Sequence, residues 1–337
     1  MGRSFGPALD SRKGSAMHAI KALGAVISNL VGVLGFKPFE SLVVVAVQDG
    51  EAGCVMRLDL SDAAAADAPE RLADLVVRSD ADGAVAVFVS AESASCTMCA
   101  DEFREQAAAL TAALERRGVQ LLDAVVVDRV EAGGRWHCVD ACGVNGVLDD
   151  PATSAAAAAA VVAGHRIYAT REDLKASVAV DVARASALAP MLAGAIGPVE
   201  DVAVAVRAAV AAVRSVGEGA VLSDTELAAV GAMLVDLRVR DALMTLVHCD
   251  EADAAEQLWA QLVRVLPQPF RCEALVLASH SAYVRGNGPL AGICLEAVQA
   301  EHPGHRMAML LDTALQSGVR PEEIRGLTAG LPSAVSV

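Results

Sequence analysis

Four cysteines in two closely spaced pairs are the residues of this sequence best suited to chemistry. Cys96 and Cys99 form the first pair; Cys138 and Cys142 form the second, directly after His137. Tetrahedral Zn²⁺ takes soft thiolate ligands, and structural zinc sites commonly draw them in such pairs from two loops. Both pairs lie near the ends of predicted strands of one sheet. The spacing therefore predicts a zinc site if the two loops meet.

Two other interpretations of these cysteines stay open. A dithiol formed by Cys96 and Cys99 would precede a helix, where the helix N-terminus lowers a thiol pKa and supports redox chemistry. The four residues are also consistent with ordinary thiols, because the turn glycines of a zinc ribbon are missing except for Gly143. Eight cysteines in 337 residues are too few for a disulfide scaffold.

A second group of polar residues lies around the clearest hairpin. Arg57 and Asp59 alternate on one predicted strand, so their side chains share a face. Together with Glu40 or Ser41, which precede the partner strand, they are placed to line a pocket at the strand ends. The alternative is the solvated face of an edge strand.

A third group is charged and lies inside an otherwise apolar helix. Arg240 and Asp241, with Arg238, are expected to form a buried ion pair between domains rather than a catalytic site. His302 and His305 flank a Pro-Gly turn and are expected to be exposed. The sequence contains no nucleophile elbow, phosphate-binding loop or HExxH motif.

The N-terminal half alternates helical and extended patterns. Residues 1–18 are predicted to be a flexible tail, and 19–150 an α/β domain with a mixed sheet. Its predicted order is helix 19–34, strands 42–47 and 54–60 around a turn at 48–53, helix 63–78, strand 84–90, helix 102–118, and strands 119–127 and 135–139.

The C-terminal half is predicted to be α-helical. Residues 151–222 form a helical connector, and 223–337 a domain of helical hairpins. Ser223 and Glu226 make a capping box that opens a helix running to about residue 248. The stretch 278–318 has small residues at helix contacts and a proline turn, which is typical of a tetratricopeptide-like unit.

Composition restricts the classes of function. The chain is 54% hydrophobic and 3% aromatic, with a net charge of −15, and its calculated pI is near 4.9. Such a surface disfavours nucleic acid and anionic membranes, which attract Lys and Arg. The longest apolar tract, 155–163, is too short to span a bilayer. We expect a cytoplasmic protein.

Several stretches together resemble an uncharacterised family, domain of unknown function 4192, seen mainly in actinobacteria and their phages. The first is the run 33–45, which contains Phe36-Lys-Pro-Phe-Glu-Ser41. The others are 57–60, 146–148, 170–174, 239–242, 258–259, 283–288 and 306–312. The likeness covers roughly residues 19–319, and it implies no activity.

These observations lead to two hypotheses about function. The first is a non-enzymatic binding or scaffold protein whose helical half contacts a protein partner or a second copy of the chain. It needs no cofactor and binds neither nucleic acid nor membrane. The alternative is an enzyme or small-molecule sensor with a pocket at the strand ends of the sheet, with zinc at Cys96, Cys99, Cys138 and Cys142.

Overall fold

A computed structural model describes residues 9–92, 94, 97–140, 142–330 and 334–335; of these, the side chains of 9–21 and 97–100 are excluded. The chain divides into two compact units, one ending at Arg171 and the other beginning at Glu172. We call them the sheet unit and the helical unit. The division falls later than the predicted boundary at residue 150.

The sheet unit alternates strands with helices. Its first helix begins at Leu9, within the stretch 1–18 for which the sequence predicts a tail. The helices are α1 (Leu9–Leu34), α2 (Leu60–Ala63), α3 (Ala68–Arg78), α4 (Thr97–Glu115) and α5 (Ala155–Val162). The strands are β1 (Ser41–Gln48), β2 (Glu51–Asp59), β3 (Gly83–Val89), β4 (Gln120–Val127), β5 (Arg135–Cys138) and β6 (Asn145–Val147).

The described strands form one mixed sheet, as predicted. Its order is β2-β1-β3-β4-β5-β6; β3 and β4 are parallel, and the other neighbours are antiparallel. The sequence pattern missed β6, because three residues around Gly146 carry no apolar alternation. The pairing places the terminal residues of the strands side by side at one end of the sheet, which we call the strand-end edge. It is formed by Ser41, Asp59, Val89, Val127, Arg135 and Val147.

The turn between β1 and β2 is tighter than the predicted 48–53. Asp49 and Gly50 have φ angles of 51° and 81°. Positive φ at both central residues is what a two-residue type I′ turn requires, and Asp-Gly favours it. β2 therefore starts already at Glu51.

Helices cover both faces of the sheet. On one face, α3 and α4 pack on alternate residues of the strands, and the rings of Phe88 and Phe103 stack with centroids 4.7 Å apart. On the other face lies α1, with α5 packed against it. Their approach requires Gly32, since a Cβ there would lie 2.3 Å from backbone atoms of Ala156 and Ala157.

The helical unit contains no strand in the described part of the chain. Its principal helices are α6 (Arg171–Ser177), α7 (Val182–Leu188), α8 (Val202–Gly217), α9 (Asp224–Leu234), α10 (Leu237–Met244), α11 (Ala252–Val265), α12 (Phe270–Val284), α13 (Gly288–Glu301), α14 (Arg306–Gln316) and α15 (Pro321–Ala329).

The capping box of Ser223 and Glu226 is present, as predicted. The single helix expected from there to residue 248 is wrong, because α9 ends at Leu234 and α10 starts at Leu237. Asp236 causes the break: its carboxylate accepts the backbone N–H of Arg238 at 2.9 Å and so caps a new helix. None of the described helices is long and apolar enough to cross a bilayer.

Candidate functional site

The turn that leads into β1 has an unusual backbone. Gly35 ends α1 with a φ of 71°, and Glu40 has a φ of 40°, which is uncommon for a residue with a side chain. The Ser41 hydroxyl donates to the carbonyl of Phe39 at 2.6 Å and holds the turn. Phe39 itself is exposed to solvent. The turn thus presents an aromatic ring beside the strand-end edge.

The structure brings together the four residues predicted around this hairpin. Arg57 Nε donates to Ser41 Oγ at 2.9 Å, and Arg57 Nη2 donates to Asp59 Oδ1 at 2.5 Å. The guanidinium also lies 5.9 Å from the ring centroid of Phe36. Glu40 Oε1 accepts the backbone N–H of Ala91 at 3.3 Å, at the end of β3. These bonds engage all four side chains, so their clearest effect is to fix the strand ends.

A cleft of about 570 Å³ lies beside the strand-end edge, on the α1 face of the sheet. We call it the Trp136 cleft, because the buried indole of Trp136 lines it. The other residues named here come from α1, from β6 and from the approach to α5: Gly24, Ser28, Asn29, Gly146, Asp149, Asp150 and Ser154.

Only part of the predicted zinc site can be placed. Cys96 and the side chain of Cys99 lie outside the described residues. Burial, together with a hydrogen bond to the Cys142 thiol, raises the pKa of Cys138. A raised pKa disfavours the thiolate that both zinc binding and redox chemistry use.

The two pairs approach through His137, whose Nε2 lies 3.3 Å from the carbonyl oxygen of Ala94 in the loop before α4. Successive strand residues face opposite sides, so Cys138 points away from the face that α4 covers. Within the described residues, no group of three or more His, Cys, Asp or Glu is placed to hold a metal. The four-cysteine site stays a prediction.

In the helical unit, Arg240 is the centre of a buried charge chain. Its side chain is 5% exposed; Nη1 donates to Glu273 Oε2 at 2.8 Å and Nη2 to Asp241 Oδ1 at 2.7 Å. Glu273 Oε1 lies 3.1 Å from His305 Nε2. His305 Nδ1 accepts the N–H of Ala308 at 3.2 Å, so the ring proton is on Nε2 and points at Glu273. The chain joins α10, α12 and the start of α14.

Electrostatics explains why these charges are tolerated. Burial favours a higher pKa for Glu273, but hydrogen bonds from His305 and Arg240 outweigh it and lower the pKa. The partners of Arg240 all belong to the helical unit, in contrast to the ion pair expected between domains. The expectation that His305 is exposed is wrong, because it is buried as the N-cap of α14.

A match to a protein-family model establishes which family the chain belongs to. It is described as Domain of unknown function (DUF4192), and it matches residues 24–322 of the 337. The chain belongs to the DUF4192 family. The resemblance inferred from the motifs is therefore confirmed. No curated protein and no solved structure matches this DUF4192 chain.

The matched range of the DUF4192 chain includes site residues that sequence patterns did not single out. Trp136 offered a weak signal, because the chain has only two tryptophans and this one pairs with Gly146 across the sheet. Glu273 offered none, since its partners Arg240 and His305 are distant in sequence. Ser28 looks like an ordinary helix residue until its burial is known.

The DUF4192 chain also has a buried histidine that forms no side-chain hydrogen bond with the described residues. Both ring nitrogens of His280 are buried without a hydrogen-bond partner among the described residues. Burial, with a smaller contribution from His248, lowers the pKa of His280 to about 4. His280 is therefore kept neutral at physiological pH, which makes it sensitive to acid.

Proposed function

We propose that this chain is a non-enzymatic protein-binding protein whose helical unit contacts its partner through the outward face of α14. Met309 and Leu310 lie side by side on that face and are 50% and 65% exposed. Arg306, Thr313 and Gln316 are exposed on the same helix. An apolar pair framed by polar side chains is a common arrangement for an interface anchor.

The order of the preceding helices supports a tetratricopeptide-like array as part of this proposal. Helices α11, α12, α13 and α14 each pack on the next, through short connections at 266–269, 285–287 and 302–305. Arrays of this kind need a polar outer surface on the last helix of the stack to stay soluble, and α14 is last in this run because α15 packs back on α12. The exposed Met309 and Leu310 depart from that rule, and this is the observation that carries the proposal.

The surroundings proposed for this function are those of the cytoplasm. The described cysteines include the six free thiols of Cys54, Cys138, Cys142, Cys249, Cys272 and Cys294. Free thiols favour a reducing compartment. The net charge of −15 supports a protein partner over nucleic acid or an anionic lipid surface.

A peptide-library selection on the purified full chain tests the proposal. Selected peptides should bind the Met309→Asp/Leu310→Asp variant at least about tenfold more weakly, because interface anchors commonly contribute more than 1 kcal/mol. The matched control is Val161→Asp/Val162→Asp, which changes an exposed apolar pair on α5 of the sheet unit. The control should bind as the unmodified chain does.

Equal loss in both variants, or loss in neither, would refute the role of α14. Sedimentation velocity over a range of concentrations separates a foreign partner from a second copy of the chain. Self-association that disappears in the α14 variant alone identifies the second copy as the partner.

Small-molecule sensing in the sheet unit is the second candidate function. The Trp136 cleft favours it, since its volume of about 570 Å³ is in the range that small ligands occupy. One of its lining residues, Trp136, pairs with Val127 at the carboxyl end of the parallel strand β4, and such strand ends are the usual place of ligands in α/β sheets.

A further inference from the structure

Two largely buried side chains line the Trp136 cleft with polar atoms that have no hydrogen-bond partner among the described residues. Ser28 is 7% exposed and Trp136 is 2% exposed. In the described part of the chain, neither the Ser28 hydroxyl nor the Trp136 indole N–H forms a hydrogen bond. Ser28 Oγ and Trp136 Nε1 are not among the described atoms that are fully buried without a partner, so both are reached from the open space of the cleft. The cleft therefore offers two donors to whatever enters it.

Two glycines keep the indole N–H uncovered. A Cβ at Gly146 would lie 2.7 Å from Trp136 Nε1, and one at Gly24 would lie 3.8 Å from it. Both glycines line the cleft. No side chain from either position stands between the N–H and the open space, which lets a ligand acceptor approach it.

The charge around the cleft selects against anions. Asp149 and Asp150 are exposed at its rim, and no Lys or Arg is among the described residues that line it. The N-terminus of α5 compensates little, because two of its amides are already used. Ala156 N–H donates to Asn29 Oδ1 at 3.0 Å, and Ala157 N–H donates to Ser154 Oγ at 3.2 Å. Carboxylates at the rim favour a cation.

We infer that the Trp136 cleft binds a small polar amine of the chemistry that an aminated sugar presents. Its ammonium group pairs with Asp149 and Asp150, and its oxygens accept from the Trp136 indole and the Ser28 hydroxyl. Donors inside and carboxylates at the rim match a molecule with acceptors at one end and a positive charge at the other. The inference rests on the second proposed function and names its ligand class.

Nuclear magnetic resonance of the full chain tests this inference directly. The chain has two tryptophans, Trp136 and Trp259, so its ¹H–¹⁵N spectrum contains two indole N–H signals. Trp259→Phe assigns them, and Trp136→Phe does so independently if the first variant fails to fold. The probes are glucosamine, glucose and glucose 6-phosphate, which share a ring and differ in charge.

Glucosamine should shift the Trp136 signal saturably and leave the Trp259 signal in place. Glucose should bind at least about tenfold more weakly, because a hydrogen bond to a charged group contributes about 1.5–3 kcal/mol. Glucose 6-phosphate should bind more weakly still. Asp149→Asn should weaken glucosamine binding and leave glucose binding unchanged, whereas the matched change Asp62→Asn on exposed α2 should alter neither.

The two ways to fail are distinguishable. If glucose or glucose 6-phosphate shifts the Trp136 signal as tightly as glucosamine, the amine inference is wrong while ligand binding in the cleft stands. If no probe shifts the signal at millimolar concentration, the inference is overturned and the second proposed function loses its support.

Discussion

The two units differ in how they bury polar groups. In the sheet unit, the described buried polar residues are the serines Ser28, Ser41 and Ser90. In the helical unit they include the charged residues Asp236, Arg240 and Arg271, as well as His280 and His305. The ion pairs described in the sheet unit each keep at least one partner exposed, as between Lys37 and Glu131 at 2.8 Å.

The difference follows from how each unit sets its register. Backbone ladders and the alternation of strand residues align a sheet without help from charge. Neighbouring helices rich in Ala, Val and Leu have few side-chain features that fix their relative position along the helix axes. Arg271 fixes this position by bonding several segments at once. Its guanidinium donates to the carbonyls of Val263 at 2.7 Å and Val178 at 2.6 Å, and it pairs with Glu301. We infer that buried charge in the helical unit serves structure, and that open polar groups in the sheet unit serve binding.

The largest effect should come from Glu273→Gln. It keeps the volume but removes the charge that faces buried Arg240, and breaking a buried pair costs about 3–5 kcal/mol. Urea unfolding should show this loss, and hydrogen exchange should place it in the helical unit. Unchanged exchange in α10, α12 and α14 would break the comparison.

Acid should weaken the helical unit through His280. Its pKa falls from 6.5 to about 4 on folding, so between these values the unfolded chain binds more protons. Stability is therefore complete above pH 6.5 and falls as pH drops toward 4, by at most roughly 3 kcal/mol. His280→Leu should flatten this part of the stability curve relative to the unmodified chain. The control His302→Asn, at an exposed histidine, should leave it as it was.

The stability of the sheet unit should depend on close packing, whereas that of the helical unit should depend on buried charge. Gly32→Ala places a methyl group against the backbone of α5, and overpacking of this kind costs about 1–3 kcal/mol. Gly326→Ala on α15 meets nothing within 4 Å, so that exchange should stabilise the helical unit by up to about 1 kcal/mol. Thermal unfolding of both variants checks the contrast. Equal shifts of the same sign would contradict it.

The smallest effect should come from Glu131→Gln, the same exchange as at Glu273. Its partner Lys37 is half exposed, and surface pairs contribute about 0–1 kcal/mol. A loss as large as that of Glu273→Gln, measured by the same urea titration, would remove the distinction between the units.

The elements of the sheet unit were predictable because their signals are local. Apolar runs gave β1, β3 and β4, and the Gly35 stop gave the end of α1. The turn at Asp49 and Gly50 was predicted, but its length was not, since that length depends on the backbone angles of these two residues. β6 could not be found, because it exists only by pairing with β5.

The sites were less predictable, since they depend on contacts across the chain. Arg57, Ser41 and Asp59 lie in contact, because strand alternation and a short hairpin place them near one another, whereas a pocket role for them stays a prediction. The partners of Arg240 were not, because helix packing brings Glu273 to it without a sequence signal. Ser28 and Trp136 could not be identified as candidate binding residues from the sequence, because only the fold places them beside a cleft.

The central claim is that the α14 face binds protein while the buried charge chain only supports it. Arg240→Met/Glu273→Leu replaces the ion pair with apolar side chains of similar size, but it also removes the acceptor of the His305 ring N–H, so folding of this variant is checked first. The dissociation constants of selected peptides, measured on this folded variant and on Met309→Asp/Leu310→Asp, test the claim most directly. We predict unchanged affinity for the first and at least about tenfold weaker binding for the second. Loss of binding in a folded Arg240→Met/Glu273→Leu variant, with binding kept in Met309→Asp/Leu310→Asp, would contradict the account.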